Sequence, residues 1–392
     1  MRKVYLDHSA TTPVDREVAD LMMLYFTEKY GNPSSIHSFG REARYALEEA
    51  RSQVAMLIGA KPEEIIFTSG GTESDNLAIL GLAEARQEKG RHLIVSAIEH
   101  HAVLDSFKYL EKAGFTLTVL PVNNEGILDV DEVIKSLRPD TILVSVMHAN
   151  NEVGSIQPVA EIGRIVREHG AAFHIDAVQA LGKIPVNVEE LKADLLTISA
   201  HKIYGPKGVG ALYVRKGVRI IPLMHGGGQE KKRRSGTENT PAIIGFGKAC
   251  ELAAQRMTEE AERVKKLRDK LLTGIVKSIR HVKVNGPMGD LRLPNNVNVS
   301  IEFVEGESLL LSLDMLGIAA SSGSACTSGS LDPSHVLLAM GLSHEIAHGS
   351  LRFTLGRQNT EEDVAYVLEH LPKIVERLRK ISPLYDQFCK TK

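Results

Sequence analysis

The chain has few cysteines. Cys250, Cys326 and Cys389 are its three, they lie far apart, and no CxxC pair occurs. That excludes a disulfide framework and a structural zinc site built on cysteine, and it suits a reducing, cytoplasmic setting. Charge of either sign is not in excess. Lys and Arg number 47 against 49 Asp and Glu, a net charge of −2, so no basic surplus points to nucleic acid. No apolar run approaches the length of a membrane span. The opening Met1-Arg2-Lys3-Val4-Tyr5-Leu6-Asp7 has only a short apolar-rich patch before a charge and does not read as a signal peptide. No internal repeat or low-complexity tract occurs.

What is present is ordinary globular composition, 43% hydrophobic and 24% charged, over 392 residues. That length is too great for one small core, so two domains are expected. Strand-like apolar runs alternate with amphipathic stretches. Strands are expected at Ile65–Thr68, His92–Ala97, Phe115–Leu120, Thr141–Met147, Phe173–Ile175 and Leu195–Ser199. Helices are expected at Asn76–Gln87, His101–Lys112 and Pro158–Glu168. This rhythm implies a mostly parallel sheet covered on both faces. A long helical stretch from Pro241 to about Ile279 leads into a smaller α+β region. There, strands near Asn296–Phe303 and Leu351–Leu355 alternate with helices near Glu307–Leu316 and Thr360–Lys380.

Six polar clusters and one lysine fall where such strands end, which is where open α/β sheets bind ligands. Lys202 follows the apolar run Leu195–Ser199 and precedes a Gly/Pro-rich turn. A lysine held there out of bulk water is suited to act as a nucleophilic amine, although a solvated lysine after a strand is the alternative. Ser69-Gly70-Gly71-Thr72-Glu73-Ser74 offers an anion the N-terminus of a helix, or is an ordinary turn. His100 either stacks on an aromatic ligand or caps a helix. The Asn150-Asn151 strand end either binds a carboxylate or phenolic oxygen or is a polar turn. Asp176 follows Phe173-His174-Ile175, so its carboxylate is partly buried and needs a cation, such as a protonated pyridine nitrogen; an N-cap is the alternative. His225 to Asn239 is glycine-rich and then basic, either an anion-binding loop or a solvated one. Cys326 sits among Ser, Gly, Ala and Thr, where a thiolate is exposed for use unless it is a chance surface cysteine. His344-Glu345-Ile346-Ala347-His348 matches a zinc-protease signature, but Gly349 and the strand-like Leu351–Leu355 follow at once. Ser343 therefore caps only one or two turns, and no resident metal is expected.

These segments together resemble the NifS/IscS-type cysteine desulfurases of the class V aminotransferase family. The resemblance runs from Tyr5–Pro13 through Gly31–Ser35 to the final helix. It is most specific at Ser199–Gly208, Arg234–Asn239 and Ser322–Ser328. It implies the fold-type I architecture of pyridoxal phosphate (PLP) enzymes, with a large PLP-binding domain over 16–255. A small domain of 1–15 and 256–392 would carry the cysteine loop. It implies PLP bound covalently to Lys202, with His100 stacked on the ring, Asp176 on the pyridine nitrogen and Gln179 on the phenolic oxygen. Gly71, Thr72, Ser199 and His201 would surround the phosphate, with Thr237 entering from the partner subunit of a homodimer. Asn151 and Arg352 would hold the carboxylate of the substrate, L-cysteine. With Lys202 as base and Cys326 as nucleophile, the expected products are alanine and a persulfide on Cys326. Its sulfur would go to an iron–sulfur scaffold protein of the NifU/IscU type, and Cys326 could also ligate an iron–sulfur cluster transiently. The rivals are a selenocysteine lyase, a cysteine desulfhydrase, an aminotransferase, or a non-catalytic PLP-binding scaffold.

Overall fold

The computed structural model describes residues 2–322 and 333–390. A short strand, β1 (Val4–Tyr5), opens the chain. The large sheet follows: β2 (Ile65–Thr68), β3 (His92–Ser96), β4 (Thr116–Leu120), β5 (Thr141–Ser145), β6 (Ala172–Asp176), β7 (Leu195–Ser199) and β8 (Gly210–Val214). Their order is β2-β8-β7-β6-β5-β3-β4. The pairs from β4 through β7 are parallel, while β8 runs antiparallel between β2 and β7. The sequence reading did not place β8. The glycines at 205, 208 and 210 look like one long turn, yet Gly210–Val214 is buried along its whole length.

Helices cover both faces of this sheet, which is why its central strands are buried along their whole length and mostly apolar rather than alternating. One face packs Leu47, Val54, Ile162 and Phe246 in a shared core, and the other packs Leu77, Leu82 and Phe107. Each such side chain gains roughly 1.5–3 kcal/mol by leaving water. The helix expected from Asn76 begins earlier and spans Gly71–Arg86, so its first turn faces the strand ends directly. Helices at Arg16–Thr27 and Ser38–Leu57 were not anticipated.

The long helix is present as Thr240–Ser278, with the Asn239 side chain accepting from the Ala242 N–H at its start. Its first half packs Ala242 to Ala253 into the large core, and its second half packs Val264 to Ile275 into another. That second core lies against β9 (Val282–Val284), β10 (Asn296–Ile301) and β12 (Ser350–Thr354), a three-stranded antiparallel sheet. Val4 and Leu6 join it, and β1 pairs in parallel with β11 (Ile318–Ala319). The N-terminal segment is thereby drawn across to the C-terminal half, and residues 7–12 lie between the two cores. The Glu361–Lys380 helix closes this half.

His344–His348 forms barely more than one turn, capped by Ser343, and the chain enters β12 immediately after Gly349. The histidines lack the continuous helix a zinc site would need, and no metal-ligating cluster occurs among the described residues. Among them, no helix is long and apolar enough to cross a membrane.

Candidate active site

The carboxyl ends of β5, β6 and β7 open onto one cavity of about 980 Å³. Ten of the twelve expected site residues line it: Gly71, Thr72, His100, Asn151, Asp176, Gln179, Ser199, His201, Lys202 and Arg352. Lys202 sits at the end of a single 3-10 turn, Ala200–Lys202, which breaks off β7. Its amine donates to the carbonyls of Ser9 at 2.5 Å and Ala10 at 2.7 Å. The N-terminal segment thus holds the lysine at the cavity wall.

Asp176 ends β6 and is 5% exposed. Its Oδ1 accepts the Val178 N–H at 2.9 Å. Burial raises its pKa to about 6, against the opposing pull of that N–H and of the Lys202 charge. No helix begins there, so it is not the N-cap of the plainer alternative; it closes the turn after β6 and is a buried carboxylate whose ionisation a cation would favour.

His100 caps a helix, the plainer of its two readings, and its ring also lines the cavity. Its Nδ1 accepts the Ala102 N–H at 3.1 Å, capping the His101–Lys112 helix. That bond leaves the proton of the neutral ring on Nε2. Burial, with Lys202 next, lowers its pKa to about 4, so the ring is neutral at physiological pH.

The other end of the cavity suits an anion. Ser69, Gly70, Thr72, His201, Lys207 and Gly208 surround a lobe at the N-terminus of the Gly71–Arg86 helix. The Ser199 hydroxyl, 1% exposed, has no hydrogen-bond partner among the described residues. Gly71 is closely packed: a Cβ there would lie 3.1 Å from Val178 Cγ2, which would have to shift by a few tenths of an ångström. Burial lowers the pKa of His201 to about 4, and its Nδ1 lies 3.2 Å from Thr11 Oγ1. Gln179 donates from Nε2 to the Ser9 carbonyl at 2.9 Å, while its Oε1 has no partner among the described residues. A carboxylate at one end, an amine in the middle, and a helix N-terminus with an unpartnered hydroxyl at the other match a phosphorylated pyridine aldehyde. These residues fit PLP.

Arg352 projects from β12 and is 1% exposed. It donates through Nη1 to the Asn151 carbonyl at 3.1 Å and through Nη2 to Asp7 Oδ1 at 2.9 Å. Its Nε has no partner among the described residues. The expected substrate pair, Asn151 and Arg352, is therefore in mutual contact. Asp7 was given no role from the sequence. The available signal was an acidic residue directly after the apolar Val4-Tyr5-Leu6, inside the most family-like N-terminal stretch.

Two expected residues are not in this cavity. Thr237 is exposed and lines no part of it. Cys326 lies outside the described residues. Ser321, before that segment, pairs with Arg352 through both backbone groups, at 3.1 and 2.6 Å. Ser334, after it, donates to the buried carboxylate of Glu152.

Comparison with known proteins agrees with this geometry. The aminotransferase class-V family model matches residues 4–367. A curated cysteine desulfurase IscS of Dictyoglomus turgidum is 58% identical over 387 residues, 99% of this chain and 98% of the relative. A cysteine desulfurase IscS of Methanosarcina thermophila is 55% identical over 390 residues, 100% of this chain and 96% of the relative. A solved NifS-like protein superposes with a TM-score of 0.91 at 43% identity, covering 96% of this chain and 100% of that one. With a cavity whose residues fit PLP opening around the lysine that follows β7, the chain belongs to the class V aminotransferase family and, within it, to the NifS/IscS-type cysteine desulfurases.

Proposed function

We infer that the chain is a PLP-dependent cysteine desulfurase, which removes sulfur from L-cysteine and releases L-alanine. The observation that carries this is the meeting of Lys202, His100, Asp176 and Arg352 around one cavity, in a chain 58% identical to a named cysteine desulfurase. Lys202 would hold the cofactor covalently, Asp176 would face its pyridine nitrogen and His100 its ring. Gln179 would contact its phenolic oxygen, and Gly71, Thr72, Ser199 and His201 its phosphate. Bound there, PLP supplies an electron sink for charge developing at the substrate Cα.

The chain's own groups do the rest. Arg352, aimed by Asp7, and Asn151 hold the substrate carboxylate, which fixes the Cα–H bond toward Lys202. The Lys202 amine takes that proton. His100, neutral with its proton on Nε2, can donate a hydrogen bond beside the reacting atoms. The Cys326 thiolate attacks the substrate sulfur, so the Cβ–S bond breaks as the S–S bond forms; the bonding pair stays with Cβ, which takes up a proton to become the methyl group of alanine. The persulfide then passes its sulfur onward.

The same reading includes a homodimer in which Thr237 completes the partner's phosphate lobe; its exposure and its absence from its own cavity support this. It includes a NifU/IscU-type iron–sulfur scaffold as sulfur acceptor, transient cluster ligation by Cys326, and a cytoplasmic setting. It also includes a division into units of 16–255 and of 1–15 plus 256–392, in keeping with the separate apolar cores. Incubation with L-cysteine and a thiol reductant tests the activity: alanine and sulfide in equal amounts are expected, and pyruvate in place of alanine would mean a desulfhydrase.

A further inference from the structure

Lys202 is a wall between two cavities. Behind it, away from Asp176 and Arg352, lies a narrower one bounded by His8, Lys183, Asn295 and Gly356. Glu260 and Arg357, in contact at 2.6 Å, stand at its outer end, with side chains 23% and 20% exposed. His8 is only 2% exposed, and neither of its ring nitrogens has a hydrogen-bond partner among the described residues. The Tyr5 carbonyl and Asn359 side chain approach the ring without a well-formed bond. Asn295, 4% exposed, donates to the Leu355 carbonyl at 3.3 Å and leaves Oδ1 without a partner among the described residues. Gly356 lies flat beneath His8: a Cβ there would stand 2.3 Å from the ring. The ring is therefore held in place with no well-formed hydrogen bond at either nitrogen. Buried polar atoms left this way, facing a cavity with room for water, bind it. The Lys183 amine on the same wall donates to the Gln179 carbonyl at 3.0 Å.

We propose that this rear cavity holds a short file of water, ordered by His8 and Asn295, through which the Lys202 amine exchanges protons with solvent. His8 is a positioning residue here. It is neutral, its pKa lowered to about 4 by burial first and then by the Lys183 charge, so it orders water rather than carrying a proton. Burial brings the Lys183 amine down to about 7, where it can both give and take a proton near neutral pH. The step balances simply. Lys202, having taken the substrate Cα proton in front, is an ammonium. It gives one proton to a rear water and receives one solvent proton at the same nitrogen. Charge is unchanged, and the substrate-derived isotope is diluted. The source of that proton rests on the desulfurase reading.

The test uses L-cysteine carrying deuterium at Cα in ordinary water, with the deuterium content of product alanine read by mass spectrometry. The wild-type holoenzyme should lose most of the label. His8→Phe, which keeps an aromatic ring over Gly356 but offers water no partner, should raise retention about threefold or more. His8→Asn, which restores a polar partner, should return it toward wild type. Equal retention in wild type and His8→Phe would overturn the proposal. A crystal structure of the cofactor-free chain gives a readout independent of turnover. Water within hydrogen-bond distance of His8 and of Asn295 Oδ1 is expected, and a dry cavity overturns the inference. If no alanine forms at all, the desulfurase reading fails, and the water density still decides the cavity.

Discussion

Asp7 Oδ1 receives Arg352 Nη2 at 2.9 Å, so the guanidinium enters the cavity already aimed by a carboxylate from the N-terminal segment. Asp7 is only 18% exposed at its side chain and Arg352 2%, so water screens the pair little. Arg352 Nε has no partner among the described residues.

Asp7→Asn should therefore loosen the carboxylate clamp without removing it. A charge-assisted bond of this kind contributes about 1.5 kcal/mol, so KM for L-cysteine should rise roughly tenfold. The kcat should change much less, because Lys202 and Asp176 are untouched. Steady-state kinetics with the thermal midpoint measured alongside decide it: an equal fall in kcat with KM unchanged would place Asp7 elsewhere in the reaction.

The contrast between Asp7 and Asp176 shows what a linear chain reveals. Asp176, Ser199 and Lys202 were legible because each ends or closely follows an apolar run, and strand ends are where an α/β sheet binds ligands. The partner of Asp7 lies 345 positions away, and no local pattern announces it. His8 is harder still, since its cavity is assembled from segments near residues 8, 183, 202, 260, 295 and 356. The strand β8 was hidden for a different reason: its flanking glycines are turn residues in most settings, and here they allow close packing, with Gly210 against the Gly70 backbone. The long helix Thr240–Ser278 was legible because its helix-forming composition runs unbroken for 39 residues.

Lys202→Ala should purify without the visible absorbance of bound cofactor. The Ser9 and Ala10 carbonyls that now receive the amine would face the cavity without it, but the phosphate lobe and Asp176 would remain. Weak, non-covalent cofactor binding is thus expected, with turnover lost by several orders of magnitude. A holo-like absorption spectrum in the alanine variant would contradict the covalent role.

Cys326→Ser should separate the two halves of the reaction. Lys202, Asp176 and the Asp7–Arg352 pair are unchanged in this variant, so the absorbance and the response to added L-cysteine should persist. Alanine release and labelling of the chain by cysteine carrying radioactive sulfur should both vanish, since a hydroxyl is a far poorer nucleophile than a thiolate toward sulfur. Full desulfurase activity in the serine variant would remove Cys326 from the mechanism.

His174 makes the interior sensitive to acid. It is fully buried on β6, with Nδ1 2.8 Å from Ser145 Oγ and Nε2 3.1 Å from Thr197 Oγ1. Burial lowers its pKa from 6.5 to about 3. The unfolded chain therefore binds a proton there before the folded chain does. The stability linked to His174 is complete above about pH 6.5 and is lost as pH falls toward 3. In His174→Gln, which keeps polar partners for both hydroxyls but does not titrate, that loss is absent. The wild-type advantage over the variant should then shrink by about 1.4 kcal/mol per pH unit between pH 6 and 4. Comparing the two chains cancels the parallel contributions of His8, His100, His148 and His201, each lowered to about 4 by burial. Urea unfolding at pH 7, 6, 5 and 4 measures the difference. A constant difference across that range would mean that His174 already carries a proton, shared with Asp75 3.5 Å away, in the folded state.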